Sequence, residues 1–309
     1  MRSRRLIIGS GIAAGLAANL SAAGQPTDLF WKTDARMSPI PELLPRRAFF
    51  DALGGGEEEE GIAVSEVAPA ITDLVWIDGG ERITRRLASN DDFLVYDKGR
   101  LARWLLQRAH AAQLVGIMPN LPANLQDYAS VLDCRGSEAV YCDTNYRVVR
   151  QAQARTACTY AILARHVTVA PARMVFWSGT DSDGALQTFF AVPVGGDAIS
   201  IGCSHSVSTP MEVDTVLAAA RAFGMPVALE QVRFSGHAVP HIDTAMSLVK
   251  NIRPIGGAAR RSCPLKEYGV MVALSQLLQL AGRPALPASA LSRPTHSQID
   301  PHLPLELFL

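Results

Sequence analysis

The sequence LIIGSGIAAG, at residues 6–15 of this 309-residue chain, decides between two incompatible interpretations of the amino terminus. In the first, the twin arginines at residues 4–5, the apolar run and the small residues up to Gly24 form a secretory signal. In the second, a short strand runs into a glycine turn, and a helix and a second strand follow it. The residues after the helix separate the two.

The second interpretation requires a strand-helix-strand unit, and the sequence supplies one. The turn is Gly9-x-Gly11-x-x-Ala14, in which the glycines allow a tight turn and close approach to a pyrophosphate, and the small third residue allows the helix to pack closely. A polar turn at residues 24–26 and a strand at residues 27–31 follow at β-α-β spacing, which a signal peptide does not need. We therefore expect a retained nucleotide-binding unit in a cytoplasmic protein.

Composition excludes several classes of function. Lysine plus arginine and aspartate plus glutamate number 29 each, so no broad basic field favours nucleic acid. The five cysteines are scattered without CxxC spacing, which argues against a disulfide framework or a zinc site: Cys134, Cys142, Cys158, Cys203 and Cys263. After the opening, no apolar run is long enough to span a bilayer, so we expect no membrane partner.

The rest of the chain changes from helix-forming to strand-forming patterns and back. Apolar residues at helical spacing predict a helix at residues 97–113, and the strand SVLDCRG ends in Asp133 before a glycine turn. The strand-like runs between residues 157 and 204 predict a mainly antiparallel sheet, followed by a helix at residues 211–224. A strand, loop and long apolar helix at residues 251–282 then return the chain to the first sheet.

Five segments, in the correct order, resemble the flavin-dependent monooxygenase and halogenase superfamily, which has the aromatic hydroxylase fold. They are LIIGSGIAAG (6–15), IPELLPRRAFFDALG (40–54), VYDKGRLARWLLQRA (95–109), SVLDCRGSEA (130–139) and IRPIGGAARRSCPLKEYG (252–269). The resemblance implies an α/β fold, with a Rossmann-like FAD-binding domain and an inserted, mainly antiparallel substrate domain. We assign residues 1–60, 90–150 and 245–285 to the first, 61–89 and 151–244 to the second, and 286–309 to a proline-rich tail.

The resemblance also implies where FAD binds. It assigns contacts to the glycine turn, to Asp133 and Gly136 of the D-x-x-G segment, and to a loop that corresponds to the family's GDA and proline motif. That loop consists here of Gly256, Gly257, Ala258 and Pro264.

Three of the positions that the family uses for FAD carry unexpected residues. Lys32 stands at the end of the second strand, where the family has an acid that binds the ribose, although Asp34 lies close by. Lys98 replaces the arginine of the family's DR segment, and Gly257 replaces the aspartate of its GDA motif. We therefore expect FAD to bind weakly, as a diffusible reduced flavin delivered by a flavin reductase, or to have been lost.

The halogenase subclass is disfavoured by one missing signature. Halogenases of this superfamily carry G-W-x-W-x-I-P, and the corresponding residues 187–193 are QTFFAVP, without either tryptophan. A strand of the substrate sheet explains this segment equally well.

Three histidines are candidates for a catalytic base, because histidine titrates near neutral pH. They are His205, His237 and His241. Each also has an ordinary alternative as a hydrogen-bonded structural residue. A metal site is disfavoured, since Pro240 opposes the helical geometry that would direct His237 and His241 at one ion.

Two functions follow from the sequence. The first is an FAD-dependent monooxygenase that hydroxylates an aromatic or electron-rich small molecule or peptide side chain. The second is a degenerate protein of the same fold that binds a ligand or partner without flavin redox chemistry.

Overall fold

The computed structural model describes most of the chain before residue 292. The described residues are 4–20, 25–32, 42–55, 73–78, 81–86, 93–96, 98–153, 156–164, 173–180, 184, 186–194, 198–206, 211–225, 227–238, 241–261, 269–287 and 291. Asp34 and Pro264 lie outside these ranges. None of the described helices combines the length and apolar character needed to cross a membrane.

A five-stranded parallel sheet forms the first unit of the described fold. Its strands are β1 (Arg5–Ile8), β2 (Thr27–Phe30), β7 (Gly116–Met118), β8 (Ser130–Asp133) and β16 (Ile252–Pro254), in the order β16-β8-β1-β2-β7. All neighbouring strands are parallel. After Arg5 the central strand β1 is apolar because both its faces are covered: Ile7 packs among helices, while Leu6 and Ile8 pack with Tyr146 and Ala245. The predicted β-α-β unit and the return of β16 to this sheet are confirmed.

Six α-helices are described. They are α1 (Ile12–Asn19), α2 (Arg46–Leu53), α3 (Lys98–Ala111), α4 (Ser137–Tyr141), α5 (Val213–Ala222) and α6 (Gly269–Leu280). α1 packs against α3 so closely that a Cβ on Gly15 would lie 2.7 Å from the Cβ of Leu105. Ala14, the small third residue of the glycine turn motif, is fully buried beside this contact.

A seven-stranded sheet forms the second unit. Its strands are β4 (Asp73–Asp78), β5 (Glu81–Arg86), β10 (Thr156–Ala164), β11 (Arg173–Thr180), β12 (Leu186–Val194), β13 (Ala198–Ser206) and β14 (Val232–Ala238), in the order β14-β10-β13-β12-β11-β4-β5. All neighbours are antiparallel except β4 and β11, which are parallel. α5 covers one face, where Val216 and Leu217 pack with Ala161 and Ile201.

Two small sheets complete the described architecture. One pairs β3 (Glu42–Pro45) with β6 (Phe93–Tyr96), and β6 contacts β12 of the large sheet. The other joins β9 (Tyr146–Gln153), β15 (His241–Ser247) and β17 (Arg260–Arg261). The predicted fold class, a Rossmann-like unit with a separate and mainly antiparallel sheet, is confirmed.

Candidate functional site

The glycine turn after β1 requires glycine at its first position for steric reasons. Gly9 has φ +145°, and a Cβ placed on it would lie 2.6 Å from the carbonyl oxygen of Cys134. Its N–H donates to the carbonyl oxygen of Phe30 at 3.1 Å, which ties the turn to β2. Gly11 has the opposite surroundings, since nothing lies within 4 Å of its Cβ position. Gly9 therefore maintains the turn, while Gly11 leaves open space at the start of α1.

Two further glycine loops reach the same edge of the parallel sheet. Gly136 follows β8 with φ +90°, and no atom lies within 4 Å of its Cβ position. Gly256 follows β16 with φ +61°, and its Cβ position is 3.2 Å from the Cβ of Ala13 in the first turn of α1. The Cβ position of Gly257 is 3.8 Å from the backbone nitrogen of Ser137. We call Gly11, Gly136 and Gly257 the glycine cradle.

The third residue of the GGA loop belongs to the protein interior. Ala258 is fully buried, and its N–H donates to the carbonyl oxygen of Ile255 at 3.3 Å. The N–H of Gly256 donates to Oε1 of Gln276 in α6 at 2.9 Å. These bonds fix the loop, so only Gly257 of the three presents an exposed position.

Lys32 follows the end of β2, at the position where the family that the sequence resembles has an acid. Its backbone N–H donates to the hydroxyl oxygen of Ser10 in the glycine turn at 2.6 Å, and the residue is exposed. Trp31, immediately before it, is buried in the core. The end of β2 is thus fixed against the turn. Lys98 is the first residue of α3 and is partly buried.

The carboxylate of Asp133 is bonded within the protein. Only 1% of Asp133 is exposed, and both carboxylate oxygens accept from Arg135, with the shortest contact 2.6 Å between Nη2 and Oδ2. The backbone N–H of Arg135 donates to Oδ1 at 3.1 Å, and the hydroxyl of Tyr146 donates to Oδ2 at 2.7 Å. These bonds brace the turn between β8 and α4. A direct cofactor contact by Asp133 stays a prediction.

Charges in this network shift the ionisation of its members. Hydrogen bonding to Asp133 raises the pKa of Arg135, and burial followed by the bond to Asp133 raises the pKa of the Tyr146 phenol. Burial opposes ionisation of Asp143, but hydrogen bonds from Arg135 and from the N–H of Asn145 outweigh it and lower the pKa of Asp143. The network therefore consists of two carboxylates around one arginine.

Two of the candidate histidines meet at a threonine in the large sheet. His205 Nε2 lies 3.0 Å and His237 Nδ1 lies 2.9 Å from the hydroxyl oxygen of Thr159. The same hydroxyl oxygen is 2.8 Å from the carbonyl oxygen of Met211, and His205 Nδ1 is 2.9 Å from the carbonyl oxygen of Ser206. His205 is 1% exposed, whereas His237 is exposed.

Counting protons shows that this cluster is one hydrogen short when both rings are neutral. Carbonyl oxygens only accept, so Nδ1 of His205 must carry a hydrogen for its contact with Ser206. The four contacts need four hydrogens, but Thr159 and two neutral histidines supply three. One added proton on His205 would complete all four bonds. Among the described residues, no group of three or more His, Cys, Asp or Glu side chains is arranged to hold a metal ion.

The two faces of the large sheet differ in chemistry. Thr159 and the two histidines share the face that α5 covers, because strand residues alternate between faces. On the opposite face, Phe190, Gly202, Tyr160 and Gly236 form one row across four strands. We call this row the aromatic face.

The glycines of the aromatic face make room for its rings. A Cβ on Gly202 would lie 2.3 Å from Cζ of Phe190, and a Cβ on Gly236 would lie 2.3 Å from the phenol oxygen of Tyr160. Both rings therefore lie against the backbone of the neighbouring strand. Ser200, in the next row, is fully buried, and its hydroxyl has no hydrogen-bond partner in the described part of the chain.

Sequence reasoning placed Phe190 in a strand of the substrate sheet but missed Tyr160, Gly202 and Gly236 of the aromatic face and the partners of Asp133. A glycine inside a strand indicates that a side chain or ligand approaches the backbone closely, so Gly202 and Gly236 carried a usable signal. Tyr146 carried none, because its contact with Asp133 depends on the pairing of distant strands, whereas Arg135 bonds Asp133 from only two residues away. His241 begins β15 in a different sheet, so the structure does not place it in the Thr159 cluster.

No model of a protein family matches this sequence, and no curated protein matches it either. Solved structures do. A mutant of 2-methyl-3-hydroxypyridine-5-carboxylic acid oxygenase is similar over 91% of this chain and 82% of its own, with a TM-score of 0.66 and 14% identity. The flavin-dependent halogenase CmlS is similar over 91% of this chain and 57% of its own, with a TM-score of 0.64 and 17% identity.

A third similar structure contains the cofactor. CtdE, in complex with FAD and a substrate, is similar over 91% of this chain and 80% of its own, with a TM-score of 0.62 and 14% identity. At such identities the likeness shows the fold. The chain has the fold of flavin-dependent monooxygenases and halogenases, as the sequence resemblance implied.

Proposed function

We propose that this chain is an FAD-dependent monooxygenase that hydroxylates an aromatic or electron-rich small molecule or peptide side chain. The observation that carries the proposal is the glycine cradle, which gathers three glycine loops at the carboxyl edge of a parallel sheet, where nucleotides bind in such folds. The fold shared with flavin-dependent oxygenases supports the same conclusion. The substrate class rests on the aromatic face.

The residues present fit the pyrophosphate end of FAD. Gly11 leaves the first turn of α1 open, and the described helix has no side-chain cap, so its first N–H groups are available to an anion. Gly136 and Gly257 leave further open positions beside it. When bound, reduced FAD supplies the activation of oxygen.

The other FAD contacts are weaker than the fold leads one to expect. The carboxylate of Asp133 is bonded to Arg135 and Tyr146, and Lys32 offers the ribose no acceptor. Gly257 lacks a side chain that could bond the ribityl chain. We therefore propose that FAD exchanges readily and is delivered in reduced form by a flavin reductase.

The chain's own contribution to hydroxylation is to position the substrate and exclude water. Half-buried Phe190 supplies an aromatic side chain on this face, beside the largely buried ring of Tyr160. A base role for His205, His237 or His241 stays a prediction. Exposed His237 can exchange protons with solvent and is connected to buried His205 through Thr159.

Halogenation receives no support from β12. The places of the two tryptophans are held by Thr188 and Phe190, which share one face of the strand, while Phe189 between them projects to the other face. Phe189 stacks on Trp177 on the α5 side, with ring centroids 5.4 Å apart and an interplanar angle of 7°. Of the two tryptophan positions, only that of Phe190 holds an aromatic ring.

The alternative function is a protein that binds a ligand or partner without flavin redox chemistry. Lys32, Lys98 and Gly257 favour it, because each removes a contact that the family makes with FAD.

Two measurements on the purified protein separate these functions. Titration of FAD with the protein should quench flavin fluorescence to a saturating level, a readout that also detects a readily exchanging cofactor. Supplied with reduced FAD and labelled oxygen gas, the protein should insert one labelled oxygen atom into an aromatic substrate. An absence of quenching at every protein concentration would favour the alternative, and a chlorinated product in the presence of chloride would refute hydroxylation.

A further inference from the structure

Asp133 joins the three loops that carry the glycine cradle. Its carbonyl oxygen accepts from the N–H of Ile255 at 2.9 Å, just before the GGA loop. The next residue, Cys134, donates its N–H to the carbonyl oxygen of Ile8 at 2.7 Å, just before the glycine turn. The backbone here therefore fixes the ends of β1, β8 and β16 relative to one another.

The side chain of Asp133 fixes the loop that follows β8. Its carboxylate accepts from the backbone N–H of Arg135 at 3.1 Å and, through both oxygens, from the guanidinium of the same residue. Gly136 of the glycine cradle comes next, with φ +90°. The position of the carboxylate therefore sets the course of the backbone into Gly136.

Tyr146 contacts this carboxylate from a different element. Its hydroxyl donates to Oδ2 of Asp133 at 2.7 Å, and the residue is buried at the start of β9. Its ring packs with Leu6 and Ile8 of β1, and its N–H donates to the carbonyl oxygen of Asp143 at 3.0 Å. The ring is thus held in place by the core and not by the loop that its hydroxyl bonds.

The hydroxyl of Tyr146 is the donor that ties the loop to the core. In the described part of the chain, every other donor to the Asp133 carboxylate belongs to Arg135, within the loop itself. Arg135 is also shared, because its Nη2 lies 2.8 Å from Oδ2 of Asp143. Since only 1% of Asp133 is exposed, water cannot readily replace a lost donor.

We infer that Tyr146 is a positioning residue of the proposed cofactor site, whose hydroxyl holds the Asp133 carboxylate and thereby keeps Gly136 in the geometry that accepts FAD. The inference rests on the proposed function, but only on its FAD binding. Burial, followed by the bond to Asp133, raises the pKa of the phenol, so Tyr146 remains a donor. Tyr146 does not need to touch the cofactor in this role.

Titration of FAD with the full chain, followed by the quenching of flavin fluorescence, tests this role. Tyr146→Phe removes the hydroxyl and keeps the ring that packs in the core. The Kd for FAD should rise about tenfold, the lower end of the range for one hydrogen bond to a charged group, because the bonds from Arg135 remain.

Two further proteins separate positioning from a general loss of stability. Tyr128→Phe makes the same change just before β8, at the amino edge of the same sheet, where the hydroxyl of Tyr128 lies 3.7 Å from Sδ of Met118. It should leave the Kd for FAD unchanged. Incorporation of 4-aminophenylalanine at residue 146 returns an N–H donor to the ring and should restore most of the affinity. An equal change in both phenylalanine variants, or no recovery with the amino group, would overturn the inference.

The outcomes also separate this inference from the proposed function. Wild-type protein that does not quench FAD fluorescence at any concentration refutes the cofactor site, and the inference with it. Wild-type and Tyr146→Phe proteins that bind FAD with equal Kd refute the inference alone.

Discussion

Substituting Gly257 with aspartate should restore a missing cofactor contact, because the structure accepts a side chain there. Gly257 lies inside the short 3-10 helix Gly256–Ala258, and its φ lies outside the left-handed region. A Cβ would lie 3.8 Å from the backbone nitrogen of Ser137 and 3.9 Å from Cα of Gly136, which are ordinary contacts. The neighbouring Gly256, at φ +61°, would not tolerate the same change as well.

The expected gain in FAD affinity follows from one new hydrogen bond to a charged group. Such bonds contribute about 1.5–3 kcal/mol net, which corresponds to roughly ten- to hundred-fold in Kd. The N–H of Ser137 is close enough to compete for the new carboxylate, so we expect the lower end, about tenfold. Replacing glycine also restricts the unfolded chain, which should add about 0.4–1 kcal/mol to the free energy of unfolding.

Quenching of FAD fluorescence on titration with apoprotein measures the change directly. Gly257→Ala is the matched control, since it restricts the backbone equally without a carboxylate and should leave the Kd unchanged. Gly257→Asn separates the charge from the hydrogen bond. Unchanged or weaker FAD binding by a Gly257→Asp protein with undiminished Tm would refute the assignment of this loop to the cofactor.

Three further predictions concern the turn, the threonine cluster and acid stability. Gly9→Ala should lower the free energy of unfolding in urea by more than about 2 kcal/mol, whereas Gly11→Ala should leave it unchanged and weaken FAD binding. Equal effects of the two variants would contradict the separate roles of these glycines. Thr159→Val should lower the free energy of unfolding by about 1–3 kcal/mol, because it removes the hydroxyl that contacts both histidines and the carbonyl oxygen of Met211. The variant should bind FAD with unchanged affinity. A loss of FAD affinity would place the cluster in the cofactor site. Folding lowers the pKa of Asp143, so the ionised carboxylate stabilises the folded protein at pH values above its unfolded pKa near 3.8. This stabilisation is lost as the pH falls below that value. Asp143→Asn should therefore flatten the fall in stability between about pH 4 and pH 2, and an unchanged acid profile would refute this.

The nucleotide unit could be predicted because its signals are local. The strand at residues 5–8, the glycine turn and the helix after it are contiguous, and each has its own pattern of apolar and small residues. The helix at residues 98–111 and the strand ending at Asp133 are likewise set by neighbouring residues. β9 and β15 carry no such signal, because they become a sheet only by pairing across almost a hundred residues of chain.

Roles of single residues in the site were harder to predict than their positions. Asp133 lies where the sequence placed it, at the end of β8 beside Gly9. Its carboxylate, however, accepts hydrogen bonds from Arg135 and Tyr146. Alternation along β13 and β10 decides which residues face α5, but no sequence pattern says which face a helix will cover. The position of a strand is encoded locally, whereas its environment depends on the whole fold.

The alternation of strand residues also limits the catalytic role of the histidines. A general base must lie within about 2.6–3.2 Å of the proton that it removes, or one water away. Phe190 and Tyr160 lie on one face of the large sheet, while His205 and His237 lie on the face that carries α5. A substrate that stacks on the aromatic face is therefore separated from both histidines by the sheet itself, and neither can be its base without a path around the sheet edge at β14. His237 is on that edge strand and is exposed, so it is the only member of the Thr159 cluster with such a path.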